Sequence, residues 1–312
     1  MQINKWFLFC AFLVLTMVLV GGFTRLTQAG LSITEWNIIT GVFPPFTYDE
    51  WLKEFTKYMA IPEYKAIHAD ITLELFRKIY YTEYFHRLLG RIVGFCILLP
   101  LALFYKKLDN KQFKVVIISS ILVSMQGIMG WLMVKSGLNN NIYISHYRLA
   151  AHLSLAIILF GILFYNGISF SKNSGQLQQN KLNRCILIAM IILLFTQMII
   201  GAFVAGLHAG YIYNTFPLMG NSFVPDEITI SLSDQVFIQF IHRIFAYILF
   251  LLGLIGCYRD KKIFGNIFIC LCGQLSLGIL TLISIVDMSL AMMHQLFAFI
   301  VLTSMIYAYK RL

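Results

Sequence analysis

The sequence predicts an all-α integral membrane protein, with eight transmembrane helices in two pseudo-symmetric four-helix bundles and both termini inside. Three observations predict it: the composition, the number of long apolar stretches, and a motif pattern that occurs twice. Hydrophobic residues make up 59% of the 312 and charged residues only 12%, against about 25% charge in a soluble domain. So few charges cannot build a water-facing surface. That excludes a soluble enzyme, a disordered chain and a secreted disulfide scaffold.

A bilayer core about 30 Å thick needs roughly 20 apolar helical residues to cross it. Spans 1 to 8 meet that need at about 6–23, 84–105, 115–134, 149–168, 185–206, 237–258, 263–285 and 290–309. Span 1 follows a single Lys5 and shows neither a small-residue cleavage site nor an Arg- and Ser-rich leader, so it is expected to be retained in a bacterial product. The segment after it, 24–83, holds Trp36, Pro44-Pro45, Trp51, Phe55 and Tyr58, and an amphipathic stretch from Tyr48 to Tyr58. Aromatics beside charges suit a short helix lying at the membrane interface. A second outer segment, about 207–236, holds Asn214-Thr215-Phe216-Pro217 and the acids Asp226, Glu227 and Asp234.

Charge position orients the spans. Lys106, Lys107, Lys111 and Lys114, then Lys172, Lys181 and Arg184, then Arg259, Lys261 and Lys262, and finally Lys310 and Arg311 fall on one side. Asp109 and Asp260 are the acids on that side. Short cytoplasmic loops carry the Lys/Arg excess, so both termini face the cytoplasm of a bacterial inner (plasma) membrane. The net charge of +10 is accounted for by this asymmetry, and no nucleic acid partner is expected. Cys10, Cys96, Cys185, Cys257, Cys270 and Cys272 lie in or beside apolar runs and read as small buried hydrophobes.

The pattern repeats between the halves 1–168 and 169–312. Gly21-Gly22-Phe23 after span 1 matches Gly201-Ala202-Phe203 after span 5, and Gln126 with Gly130 in span 3 matches Gln274 with Gly278 in span 7. Spans 2 and 6 open with Glu83-Tyr-Phe-His86-Arg87 and Gln239-Phe-Ile-His242-Arg243, and spans 4 and 8 carry His152 and His294 near their starts. All four histidines therefore sit at the outer, periplasmic ends of even-numbered spans.

Ionisable side chains in a membrane are functional candidates by default. Two imidazoles facing each other in a four-helix bundle are natural axial ligands of haem iron, so two histidines per half suggest two haem sites. Glu83 lies three residues before His86, on the same helix face, whereas its counterpart Gln239 is uncharged. A carboxylate beside one haem can accept a proton or stabilise developing positive charge. Chemistry is expected in the N-terminal half, and electron passage in the C-terminal half. Arg87, Arg91, Arg148 and Arg243 stand where they could pair with haem propionates or snorkel to the interface. His68, His146 and His208 lie outside these positions and read as structural.

At these residues the sequence resembles the haem A synthase family, in its mitochondrial and alphaproteobacterial branch. The resemblance rests on Gly21-Gly-Phe-Thr-Arg-Leu-Thr-Gln-Ala-Gly-Leu-Ser32, Glu50-Trp-Leu-Lys-Glu-Phe-Thr-Lys-Tyr58 with Pro62-Glu63, and Tyr81-Thr-Glu-Tyr-Phe-His-Arg-Leu-Leu-Gly-Arg91. It continues through Tyr147-Arg-Leu-Ala-Ala-His152, Asn214-Thr-Phe-Pro-Leu-Met219, His242-Arg243 and His294-Gln295. The resemblance implies a haem b cofactor held by His242 and His294, and haem O as substrate at His86 and His152, with Glu83 catalytic. The implied reaction oxidises the C8 methyl of haem O to a formyl group through hydroxylated intermediates, giving haem A for cytochrome oxidase.

It also implies a haem O synthase and oxidase assembly factors as neighbours, leaves the electron donor open, and allows a homo-oligomer. Another branch carries a cysteine pair in the outer loops, and segments 24–83 and 207–236 have none. The rival reading is a di-haem cytochrome b that exchanges electrons with quinol, in which Glu83 would accept a quinol proton.

Overall fold

The computed structural model describes residues 3–37, 40–138, 142–169, 180–225 and 228–312; Lys172, Asp226 and Glu227 of the charge pattern lie outside them. Among the described residues there are ten α-helices and no strand. They are α1 (Ile3–Leu26), α2 (Tyr48–Met59), α3 (Pro62–Ile67), α4 (Leu73–Phe104), α5 (Asn110–Leu138), α6 (His146–Gly167), α7 (Lys181–Gly206), α8 (Gln235–Arg259), α9 (Lys261–Ile283) and α10 (Met288–Arg311). All but α2 and α3 are long and apolar enough to cross a membrane, and the chain is a multi-pass membrane protein.

The two acids among the basic loops are helix caps. Asp109 accepts from Gln112 N at 2.8 Å, just ahead of α5. Asp260 accepts from Lys262 N and Ile263 N to start α9. A capping carboxylate meets otherwise unpaired helix N–H groups, which explains why these acids stand among lysines. Asp234 and Asp287 cap α8 and α10 in the same way.

The chain divides into two compact units, Thr16–Leu155 and the stretches on either side of it. In the first unit α4 has 32 residues, about 48 Å of helix against about 30 Å of hydrocarbon. Its first turns carry Phe76 and Tyr80 into a buried cluster with Trp51, Tyr58 and Ile61 of the outer segment, Leu31 and Val134. Trp51 and Tyr80 lie edge to face at 5.0 Å, and the Tyr58 and Phe76 rings, tilted by 31°, are 5.2 Å apart. Each large apolar side chain buried from water contributes roughly 1.5–3 kcal/mol. A capping box between Thr47 and Glu50 starts α2, and the loop before it exposes Phe43 and Phe46, as aromatics at a membrane interface do.

In the second unit small residues let the helices approach, as is usual between helices in lipid. Gly253 and Gly256 of α8 receive Leu271 and Phe264 of α9, and Gly273 of α9 receives Phe297 of α10. The loop after α7 is tied down by Asn214, whose side-chain amide donates to Gly210 O and Leu282 O, both at 2.8 Å.

Candidate functional site

Each of the four repeated histidines lies against a glycine of the preceding long helix. A Cβ placed at Gly21 of α1 would be 3.4 Å from His86 Nε2 on α4, and one at Gly130 of α5 would be 3.6 Å from His152 Cε1 on α6. In the other unit, a Cβ at Gly201 of α7 would stand 3.3 Å from His242 Cε1 on α8. One at Gly278 of α9 would stand 2.9 Å from His294 Cε1 on α10. The glycines thus make room for the rings. Within each unit the histidines are electrostatic neighbours, His152 of His86 and His242 of His294.

One helical turn before three of these glycines stands a glutamine. Gln126 Nε2 donates to His152 O at 3.0 Å, and Gln197 Nε2 to His242 O at 2.9 Å while lying 3.4 Å from that ring. Gln274 Nε2 lies 3.5 Å from His294 Nε2. The matching position before Gly21 is Met17, whose methyl group packs over Gly90, 3.4 Å from where a Cβ would be.

Glu83 and Gln239 are both buried, at 3% exposure, and differ in their bonds. Glu83 Oε1 accepts from Arg87 Nε at 2.6 Å, and its Oε2 is 3.5 Å from His86 Nδ1. Gln239 Nε2 donates to Tyr213 O at 3.0 Å. The first unit therefore holds a buried anion beside a histidine, and the second a neutral amide.

The arginines that follow His86 and His242 each anchor a loop. Arg87 donates to Glu35 O at 2.6 Å and Ile33 O at 2.7 Å. Arg243 donates to Thr215 O and Tyr213 O, both at 2.9 Å, and to Leu218 O at 3.2 Å. Arg91 donates to Asn37 O at 2.8 Å, and Arg148 to Leu132 O. Arg87 and Arg91 also line a cavity of about 380 Å³ with Ile33, Glu35, Pro44 and Tyr84. Trp36 ties these parts together. The Arg87 guanidinium lies 5.2 Å from its ring centroid, and the ring's far edge would be 3.6 Å from a Cβ at Gly130.

A second polar group is buried in the outer segment. Tyr58 shares a 2.5 Å hydrogen bond with His68 Nδ1, and its hydroxyl lies 3.5 Å from Glu63 Oε2. Burial pushes the Glu63 carboxyl up to about 8, with the charge of Glu83 adding to the rise and Tyr58 opposing it. Burial pushes His68 the other way, below its ordinary value.

The donors suit a haem better than a bare ion. Among the described residues no three His, Cys, Asp or Glu side chains converge as a metal cage. Nδ1 of His152, His242 and His294 is buried without a hydrogen-bond partner. An orphaned buried polar atom calls for an explanation, and paired single imidazoles at glycine-lined positions match axial ligands to iron already held by a porphyrin.

The predicted site residues fall into both units: Glu83, His86, Arg87, Arg91, Arg148 and His152 in one, His242, Arg243 and His294 in the other. Sequence reasoning gave no role to Gln126 or Gln274 and passed over Gln197, although Gln-x-x-x-Gly before a histidine span is a readable signal. It also passed over Trp36 as a neighbour of Arg87.

The family profile described as cytochrome oxidase assembly protein, COX15-CtaA, matches residues 4–306. A protein of Rickettsia bellii (strain RML369-C) named heme A synthase is 44% identical, over 99% of this chain and 98% of its own length. Proteins of the same name from Rickettsia felis and Rickettsia prowazekii are 43% and 41% identical, each over 98% of this chain and 97% of their own length.

Proposed function

The chain belongs to the COX15-CtaA family of cytochrome oxidase assembly proteins, and from that premise we propose that it is a haem A synthase. It is a haem-dependent membrane oxidoreductase that converts the C8 methyl of haem O to the formyl group of haem A. In this reading the N-terminal half, 1–168, takes haem O between His86 and His152. The C-terminal half, 169–312, keeps haem b between His242 and His294. Both sites lie near the periplasmic face of a bacterial inner membrane. The observation that carries the assignment of roles is the exchange of Glu83 for Gln239 at otherwise matching positions.

Haem b, when bound, supplies a one-electron redox centre. The chain's own residues account for the rest. Turning a methyl into a formyl group breaks C–H bonds, and the Glu83 carboxylate beside His86 is placed to take up a proton as such a bond breaks. Arg87 fixes that carboxylate at 2.6 Å while itself held by two backbone carbonyls, so the acceptor stays in place through the reaction. Such preorganisation avoids rearrangement as charge develops. The cavity lined by Arg87 and Arg91 is where substrate propionates would meet those guanidinium groups, and Arg148 and Arg243 would serve the remaining propionates.

The test is haem extraction, with chromatography and mass detection, from cells expressing this chain with a haem O synthase. Haem A formed only in the presence of the chain supports the reading. Haem O left unchanged, with haem b in the purified protein, overturns it in favour of an electron carrier.

A further inference from the structure

We propose that His86 is the exchangeable ligand of the four histidines, and that Met17 is the residue that makes it so. The inference rests on the functional reading above. It starts from an internal comparison: four histidines packed on four glycines, three with a glutamine one turn before the glycine, and one with Met17.

A helical carbonyl accepts one N–H from the residue four places on and keeps a second lone pair. Gln126 and Gln197 fill that lone pair on His152 and His242 from the neighbouring helix, and Gln274 reaches the His294 ring itself. These amides pin the ligand to the adjacent helix. Met17 has no side-chain donor, and Gly90 leaves space for its methyl group, so this position of α1 offers the His86 turn packing and no hydrogen bond. Glu83 does not replace the missing amide. It stands on the same helix as His86, so its contact with His86 Nδ1, 3.5 Å like that of Gln274 with His294, ties the ring to no neighbouring helix, and its other oxygen is engaged by Arg87 at 2.6 Å.

A haem with two tightly held imidazoles has no open coordination position, which suits an electron carrier. A substrate haem must enter, react and leave, and a ligand that lets go of iron serves each step. The side chain that would tighten His86 is absent in the half that carries Glu83.

The experiment adds and removes the amide. Met and Gln have similar length, so Met17→Gln adds a donor with little change in volume, and Gln197→Met removes one at the cofactor site. Carbon monoxide binding to the reduced, haem-loaded protein reads ligand release, since the gas needs a vacated axial position. One hydrogen bond's net contribution corresponds to about a threefold to tenfold change in an equilibrium. Met17→Gln is expected to lower the carbon monoxide-reactive fraction of bound haem O by that factor, with haem content unchanged. Gln197→Met is expected to make the haem at His242 and His294 reactive where the wild type is inert.

Haem O that binds the gas equally in wild type and Met17→Gln overturns the inference. A wild-type protein that binds no second haem overturns the functional reading and this inference together, and is recognised by its haem content before any variant is compared. Loss of both haems in Met17→Gln would mark misfolding, and Gln197→Met then decides: an inert site at His242 overturns the proposal, a reactive one supports it.

Discussion

Glu83 and Gln239 occupy matching turns of α4 and α8, three residues before a histidine and buried to the same degree. One binds the arginine that follows its histidine, and the other binds the carbonyl of Tyr213. The two side chains have nearly the same shape and differ in charge and in proton affinity. On the proposed reading, this pair separates holding a haem from changing one.

Glu83→Gln copies the second site into the first. Formyl formation is expected to fall on the order of 10²–10⁴-fold, the usual scale for loss of a positioned proton acceptor. Binding of both haems should persist, because the histidines and their glycines are untouched. Extracted haem composition checks the first statement and absorbance per protein the second. Full activity in this variant would remove Glu83 from the chemistry.

His242→Ala and His294→Ala should each deplete haem b while leaving the first unit able to bind haem O. The measurement is haem b per polypeptide after purification in detergent. Unchanged haem b content would show that these histidines do not hold it.

The glycine contacts predict a graded series. Gly278→Ala places a Cβ 2.9 Å from His294 Cε1, where overpacking costs about 1–3 kcal/mol or moves the ring, whereas a Cβ at Gly127 meets nothing within 4 Å. Gly278→Ala should therefore lower haem b retention and thermal stability, with Gly127→Ala close to wild type. A differential melt of the two variants is sufficient.

The outer segment should respond to pH through Glu63. Its folded value near 8 lies above the unfolded value of about 4.3, so between those limits the folded state holds a proton that the unfolded state has released. Stability from this group is complete below about pH 4.3 and is lost as pH rises through 8. His68, depressed by burial, acts in the opposite direction, favouring the fold as pH rises through its unfolded value of about 6.5. Between about pH 6.5 and 8 the Glu63 effect stands alone. Protection factors of the α2 and α3 amides, taken relative to the intrinsic base-catalysed exchange rate at each pH, should fall across that window, and Glu63→Gln should flatten the trend.

The eight membrane helices and α2 were legible because apolar length and an amphipathic period are properties of consecutive residues. Helix α3 was not, since six residues give too short a pattern, and α4 begins earlier than the apolar stretch because its first turns are polar and aromatic. The histidine pairs and Glu83 stood out as ionisable groups at repeated places. The carbonyl partners of Arg87 and Arg243 could not be read, because a backbone acceptor leaves no trace in residue identity. The burial of Glu63 depends on α2, α3 and α4 folding together, which spacing along the chain does not express.

The cluster of Trp51, Tyr58, Phe76 and Tyr80 gives the molecule two kinds of cohesion. Helices in lipid are held by close packing and hydrogen bonds, with no water-driven term between them. The aromatic cluster joins α2 and α3 to the first turns of α4, ahead of its apolar stretch, and exclusion of water is the force that holds it, one that weakens on cooling. Chilling and urea should therefore loosen the layer that carries Glu63 while the long helices remain assembled. The surroundings of Glu63 are the cold-sensitive part of an otherwise lipid-governed protein.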